Sequence, residues 1–271
     1  MAQTNLKKRL NMNNQFIFTI TAGRTGTAWL ANFFQDNLKI PTIHEPLEID
    51  DFGNQMPDIR VMRSFNNRGM DEVCRSFWQR KFEKISGYNN YCETNHTLAK
   101  CGLVEALSTM NLDKKISFIC LKRNWADQCA SYINRSDFRN ITITWQWYLH
   151  PNYTRKIVAP EPFLNSSPFG LMLWYIAEIE ARQAYYKTLF GDKFDFIECN
   201  LESITTEEKA PWLLSRLGCS NPSPVFPEKK NTNVITSNNE LKNNIKTVVE
   251  KISFNADQIA KAFIQSGGSL A

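Results

Sequence analysis

The chain has 271 residues, 42% of them hydrophobic and 22% charged, a balance that is ordinary for a folded protein with a full core. Its formal net charge of +5 is modest, and the basic residues are dispersed rather than gathered into a run. That pattern speaks against a nucleic-acid surface and suits a small, highly anionic ligand drawn to a basic cleft.

The first fifteen residues (MAQTNLKKRLNMNNQ) are polar and basic, with no apolar stretch that reads as a signal peptide. Residues 1–14 are expected to be flexible. The longest apolar runs, at 15–21 and 170–179, fall far short of the ~20 residues that span a bilayer. A cytoplasmic protein without a membrane partner is the expectation. Seven cysteines, with no C-x-x-C pair, read as reduced thiols, several of them in strands. The three histidines, His44, His96 and His150, lack the spacing of a zinc site, so no metal is expected.

In chain order, residues 15–21 (QFIFTIT) are rich in β-branched and aromatic residues and predict a buried strand. A small-residue turn follows at 22–26. A helix from Thr27 then carries Leu30, Phe33, Phe34 and Leu38 as one apolar stripe. A second short strand is expected within 39–43. The spacing of Val73, Phe77, Phe82 and Ile85 predicts a helix over 68–86, and 88–93 reads as a strand. Residues 115–121 (KISFICL) form the second clear buried strand, with a helix after it over about 125–133. A long aromatic-rich helix is expected over 166–189, a strand at 194–199, and a helix at 205–217 ended by Gly218. Two short helices, at 240–252 and 256–265, close the chain. Strands alternating with helices imply a single α/β domain, its parallel sheet covered on both faces.

The segment Thr21-Ala22-Gly23-Arg24-Thr25-Gly26-Thr27-Ala28-Trp29-Leu30 lies between a strand and a helix. Small residues let backbone N–H groups converge on an anion there, and the helix N-terminus adds unpaired donors. Arg24 adds charge, and Thr25 and Thr27 add hydroxyls. The pattern is not a Walker A loop, because its spacing differs and the lysine is missing. A second anion motif follows the strand at 115–121: Arg123 stands at the strand's end and Ser131 two helical turns on.

On these residues the chain resembles the PAPS-dependent sulfotransferases, whose 5′-phosphosulfate loop reads approximately R-[ST]-G-[TS]-T-x-L and stands here as Arg24 to Leu30. The second Thr of that pattern is Ala28. Arg123 and Ser131 match the family's 3′-phosphate motif. Cys199-Asn200-Leu201 is similar to its Y-E-D-L strand end, and residues 213–218 to its later F-L-G. Lys229, Lys230 and Asn231 fall where the family's late basic loop closes over the nucleotide. The resemblance implies a P-loop-kinase-like three-layer fold with about five parallel strands. It also implies a PAPS-dependent sulfotransferase that releases PAP, binds through Gly23, Arg24, Thr25, Gly26, Thr27, Ala28, Arg123 and Ser131, and uses no metal. The small-molecule acceptor, with a hydroxyl, amine or guanidine nitrogen, points to natural-product tailoring.

Such a transfer needs cations near the departing oxygen and a base for the acceptor. Arg24 is the candidate cation. For the base, Glu45 comes first, then His44, in the run Ile43-His44-Glu45-Pro46, and then His96, near a position where cytosolic members carry K-T-H. Trp145, Trp147, Tyr148 and His150, in a Pro-containing segment, read either as an acceptor-binding lid over 136–165 or as a hydrophobic cover for the core. Two other readings stay open: a catalytically silent relative that binds the nucleotide, and a kinase-like phosphotransferase.

Overall fold

The computed structural model describes residues 14–110, 112–138, 149–165, 167–220, 222–228 and 239–271. Five strands, β1 (Gln15–Ile20), β2 (Thr42–Ile43), β3 (Tyr91–Glu93), β4 (Lys115–Lys122) and β5 (Asp195–Asn200), form one sheet in the order β2-β3-β1-β4-β5. Every pairing is parallel. The expected α/β fold with a five-stranded parallel sheet is the one the chain forms.

Helices α1 (Thr27–Leu38), α2 (Ile59–Arg68), α3 (Glu72–Ile85), α4 (Leu103–Thr109), α5 (Trp125–Arg135) and α6 (Glu161–Leu164) are followed by α7 (Gly170–Phe190), α8 (Leu201–Ile204), α9 (Ala210–Arg216), α10 (Asn239–Val249) and α11 (Ala256–Gln265). Side chains alternate across β1, so Phe16, Phe18 and Ile20 enter the core beneath α2 to α5, α7, α10 and α11, while Ile17 faces α1, α8 and α9. The α1 stripe of Leu30, Phe33, Phe34 and Leu38 is fully buried. Each of those side chains contributes about 1.5–3 kcal/mol of burial.

The helix expected over 68–86 starts later, at Glu72, as α3. Gly69, at φ 76°, ends α2, and Asp71 caps α3 by accepting from the Cys74 N–H. Val73 consequently faces outward, 39% exposed, and Cys74 and Trp78 join Phe77, Phe82 and Ile85 inside. The helix expected over 205–217 is shorter, starting at Ala210 with a proline in its first turn. The seven cysteines are free thiols, six of them buried. No helix among the described residues is long and apolar enough to cross a membrane.

Strand order fixes where a ligand meets the sheet. From β1 the chain travels outward to β2 and returns to β3; from β3 it crosses to β4 and leaves for β5 on the other side. The reversal falls between β1 and β4, which pair in register from Gln15 with Lys115 to Ile20 with Cys120. In an open α/β sheet a crevice opens at the carboxyl ends of strands at such a point.

Candidate active site

The loop after β1 and the turn after β4 meet at that crevice. Arg24 sits in the left-handed region at φ 68° and Gly26 at φ 86°. No side chain caps the first turn of α1, where Gly26 is the N-cap residue, so its N–H groups face the cleft without a side-chain acceptor. The turn of α5, by contrast, is capped by Asn124, which accepts from Ala126 and Asp127 N–H.

Side chains from β4 and α5 grip the loop. Arg24 Nε donates to Ser131 Oγ at 2.9 Å, and Arg123 Nη1 donates to the Arg24 carbonyl at 2.9 Å. The Gly23 carbonyl accepts from Gln128 Nε2 at 2.8 Å and from Tyr132 Oη at 2.6 Å. The two anion motifs, about a hundred residues apart in the chain, are thus one bonded unit. Thr25 departs from expectation: its hydroxyl points inward to Thr21 Oγ1 (2.6 Å) and the Ala22 carbonyl (2.9 Å), holding the loop's shape. Leu201, in the run similar to the Y-E-D-L strand end, lies against Gly26, where an added Cβ would meet its Cδ1 at 2.7 Å.

The cleft has a volume of about 400 Å³. One wall carries Gly23, Arg24, Gly26, Thr27, Ala28, Trp29, Arg123 and Arg135, and the facing wall carries His44, Glu45 and His96. β2 and β3 supply the second wall, because pairing Ile43 with Glu93 sets the residues after each strand side by side. The three base candidates form one cluster. Glu45 lies between the imidazoles, with His44 Nε2 at 4.0 Å and His96 Nε2 at 3.7 Å. His44 Nδ1 is 2.8 Å from the Thr94 carbonyl, which only accepts, so that nitrogen bears a proton, while Nε2 is turned toward Glu45. Glu45 itself is held at φ 43°.

Behind His96 lies a layer that the sequence did not reveal. Lys100 Nζ is 2.8 Å from His96 Nδ1 and donates to Tyr175 Oη at 2.8 Å; the same Oη accepts from Gly23 N–H at 3.5 Å. Burial pushes Lys100 down to about 7 and the Tyr175 phenol well up. Burial, then the positive neighbours Lys100, His44, Arg24 and Arg135, hold His96 well below the usual imidazole range. Arg135, also unforeseen, lines the cleft and pairs with Asp137 at 3.4 Å. The buried pair Lys81 and Glu93 (2.7 Å), bonded to Tyr91 and Asn95, braces the end of β3 that carries this cluster.

Trp145, Trp147, Tyr148, Lys229, Lys230 and Asn231 lie outside the described residues. His150 is not part of the cleft lining; its Nδ1 accepts Asn152 N–H in a turn. The stretch after it is tied to the core, with the Ile157 and Val158 N–H groups on Glu178 Oε2 at 2.9 and 2.8 Å. Glu178 in turn pairs with buried Arg182 at 2.8 Å. Residues 157 and 158 are thereby held against α7. Among the described residues, no group of three or more His, Cys, Asp or Glu side chains is arranged to hold a metal.

Fold and site together define an α/β protein with a cleft at the strand ends, lined by Arg24, Arg123 and Arg135 and by a cluster of Glu45 with two imidazoles. No family model matches the chain. No curated protein matches it. Among solved structures, a sulfotransferase from Alicyclobacillus acidocaldarius is similar at 15% identity, with 92% of this chain and 95% of that one covered and a TM-score of 0.48.

Proposed function

We propose that this protein, as one catalytic domain, transfers the sulfonyl group of 3′-phosphoadenosine-5′-phosphosulfate to a hydroxyl or nitrogen of a small acceptor. The observation that carries the reading is the bonded unit of Arg24, Arg123 and Ser131, whose two arginines line a cleft together with Glu45 and two imidazoles. A nucleotide with a phosphate at each end needs two anion pockets, and this cleft has donors from two strand ends. The N–H groups at the start of α1 and the Thr27 hydroxyl hold the 5′-phosphosulfate. Arg123 and Ser131 take the 3′-phosphate, and Trp29, which lines the cleft and stacks on Phe33 at 5.0 Å, gives the adenine a flat face.

In the reaction, Glu45 removes the proton from the acceptor, and the acceptor's lone pair attacks sulfur in line with the bridging oxygen. The bond from sulfur to that oxygen breaks, and its electron pair leaves with the bisphosphate. Arg24 lies beside the developing charge, where a fixed cation lowers the barrier without reorganisation.

The test is the heat of binding of adenosine 3′,5′-bisphosphate, measured beside sulfonyl transfer to a panel of alcohols, phenols, sugars and amines. Binding with turnover on any acceptor is the expected result. Binding without turnover on all of them favours the silent relative, a reading encouraged by Ala28, whose methyl lines the cleft where the resembling pattern has a hydroxyl. Tighter binding of ATP with magnesium overturns both in favour of a phosphotransferase.

A further inference from the structure

Lys100 is a fully buried amine with no role in the steps above, yet it is bonded to Nδ1 of His96, whose other ring nitrogen is turned toward Glu45. We infer that Lys100 sets the tautomer of His96 and stores, through it, the proton that the acceptor loses. The inference rests on the sulfonyl-transfer reading and deepens it.

The geometry leaves two arrangements for the 2.8 Å contact between Lys100 Nζ and His96 Nδ1. An ammonium donates to Nδ1, so the imidazole proton sits on Nε2, turned toward Glu45. A neutral amine accepts from Nδ1–H, and Nε2 faces Glu45 with its lone pair. Only the second arrangement accepts a proton from the cleft. Glu45 first binds the acceptor's proton; that O–H bond breaks as His96 Nε2–H forms; Nδ1–H breaks as an N–H bond forms on Lys100. One proton leaves the acceptor and one arrives on Lys100, and Glu45 is returned to its carboxylate. The separation of 3.7 Å between His96 Nε2 and Glu45 Oε1 closes once an acceptor is held, as such contacts do. His96 stays uncharged throughout, in keeping with its buried, cation-rich surroundings.

The groups around Lys100 allow both of its forms. Burial favours the amine, and so does Arg182, while Glu45 favours the ammonium, and the balance brings it to about 7. His44, Arg24 and Arg135 face the imidazole and oppose a charge there. Tyr175 Oη accepts from Lys100 whichever form it takes, and its contact with Gly23 N–H ties this store to the anion loop.

Lys100 touches no substrate, so its test needs readouts that a structural role does not move. Nitrogen NMR of the imidazoles in the full-length protein follows the tautomer of His96 directly, and only three histidines share the spectrum. Between about pH 5.5 and 9, His96 in the wild type is expected to pass from the Nε2–H to the Nδ1–H form. The midpoint should lie at about 7. In K100Q, whose amide does not titrate, His96 is expected to hold one tautomer across the whole range. The limb of kcat near neutrality should disappear, with kcat down about 10- to 100-fold and the bisphosphate dissociation constant unchanged. K100M, which offers Nδ1 no partner, should likewise lose that limb. A wild type that binds bisphosphate but shows one His96 tautomer across the range overturns the inference alone, as does a K100Q or K100M variant with the wild-type pH profile. A wild type that binds no bisphosphate overturns the sulfonyl-transfer reading beneath it.

Discussion

Arg24 and Ser131 share a hydrogen bond of 2.9 Å although 107 positions separate them in the chain. The bond exists because β1 and β4 are neighbours in register, so the loop leaving one is delivered against the helix leaving the other. A guanidinium held in this way is oriented before any ligand arrives, which reduces the ordering cost of binding.

Arg123 joins the same unit from the end of β4. Replacing it in R123A removes a charged donor from the anion cleft and the tether to the Arg24 carbonyl. The affinity for adenosine 3′,5′-bisphosphate is expected to fall by about 2 kcal/mol, or roughly 30-fold. Calorimetry checks this, and an unchanged dissociation constant removes Arg123 from the site.

Glu45 stands between two imidazoles on the opposite wall. E45Q keeps the shape and removes the base. Bisphosphate binding should be spared, while kcat for sulfonyl transfer drops by about 100-fold or more. A variant working at full speed moves the role to His44 or His96.

Gly26 carries a backbone angle of φ 86° with Leu201 packed over it. G26A forces a Cβ into the left-handed region and against that leucine. A loss of about 1–3 kcal/mol of stability is expected, read from denaturant midpoints. A parallel loss of bisphosphate affinity should accompany it, because the first N–H groups of α1 move with the turn.

Glu105 is buried, and burial raises its carboxyl to about 7. Its folded-state value therefore lies above the unfolded one, so the stability gained by binding its proton is complete below the ordinary carboxylate range and is lost as pH rises through about 7. E105Q cannot ionise. Thermal melts are expected to show the variant gaining on the wild type between acidic solution and pH 8; parallel curves would contradict this.

Much of this arrangement is legible in the chain itself. Runs such as QFIFTI and KISFICLK are continuous β-formers, which only a strand buried on both faces accommodates. The loop between Thr21 and Leu30 announces itself by glycine, threonine and arginine packed between a strand and a helix. His44, Glu45 and His96 were readable one at a time, since each follows a short strand; their convergence depends on β2 pairing with β3, which no local pattern encodes. Lys100 and Tyr175 were not readable at all. Lys100 lies in a 3₁₀ turn, where one charged residue predicts a solvated surface, and Tyr175 is one aromatic among many in α7, 152 positions from the Gly23 it touches. α2 was missed because its sequence, IRVMRSFNNR, is polar enough to hide a stripe of Val61, Met62 and Phe65 beside a buried Asn66. That asparagine donates to the Met62 carbonyl within its own helix and, across the fold, to the Lys100 carbonyl.

Two ends of one nucleotide, each gripped by a separate strand end, is the claim on which the rest depends. Calorimetric titration of the wild type with adenosine 3′,5′-bisphosphate against adenosine 5′-monophosphate measures it without any acceptor. Tighter binding of the bisphosphate by roughly 10- to 100-fold is expected, since the second phosphate engages Arg123 and Ser131 through charge-assisted hydrogen bonds. Equal affinities would mean that the second pocket holds nothing, and would contradict the account.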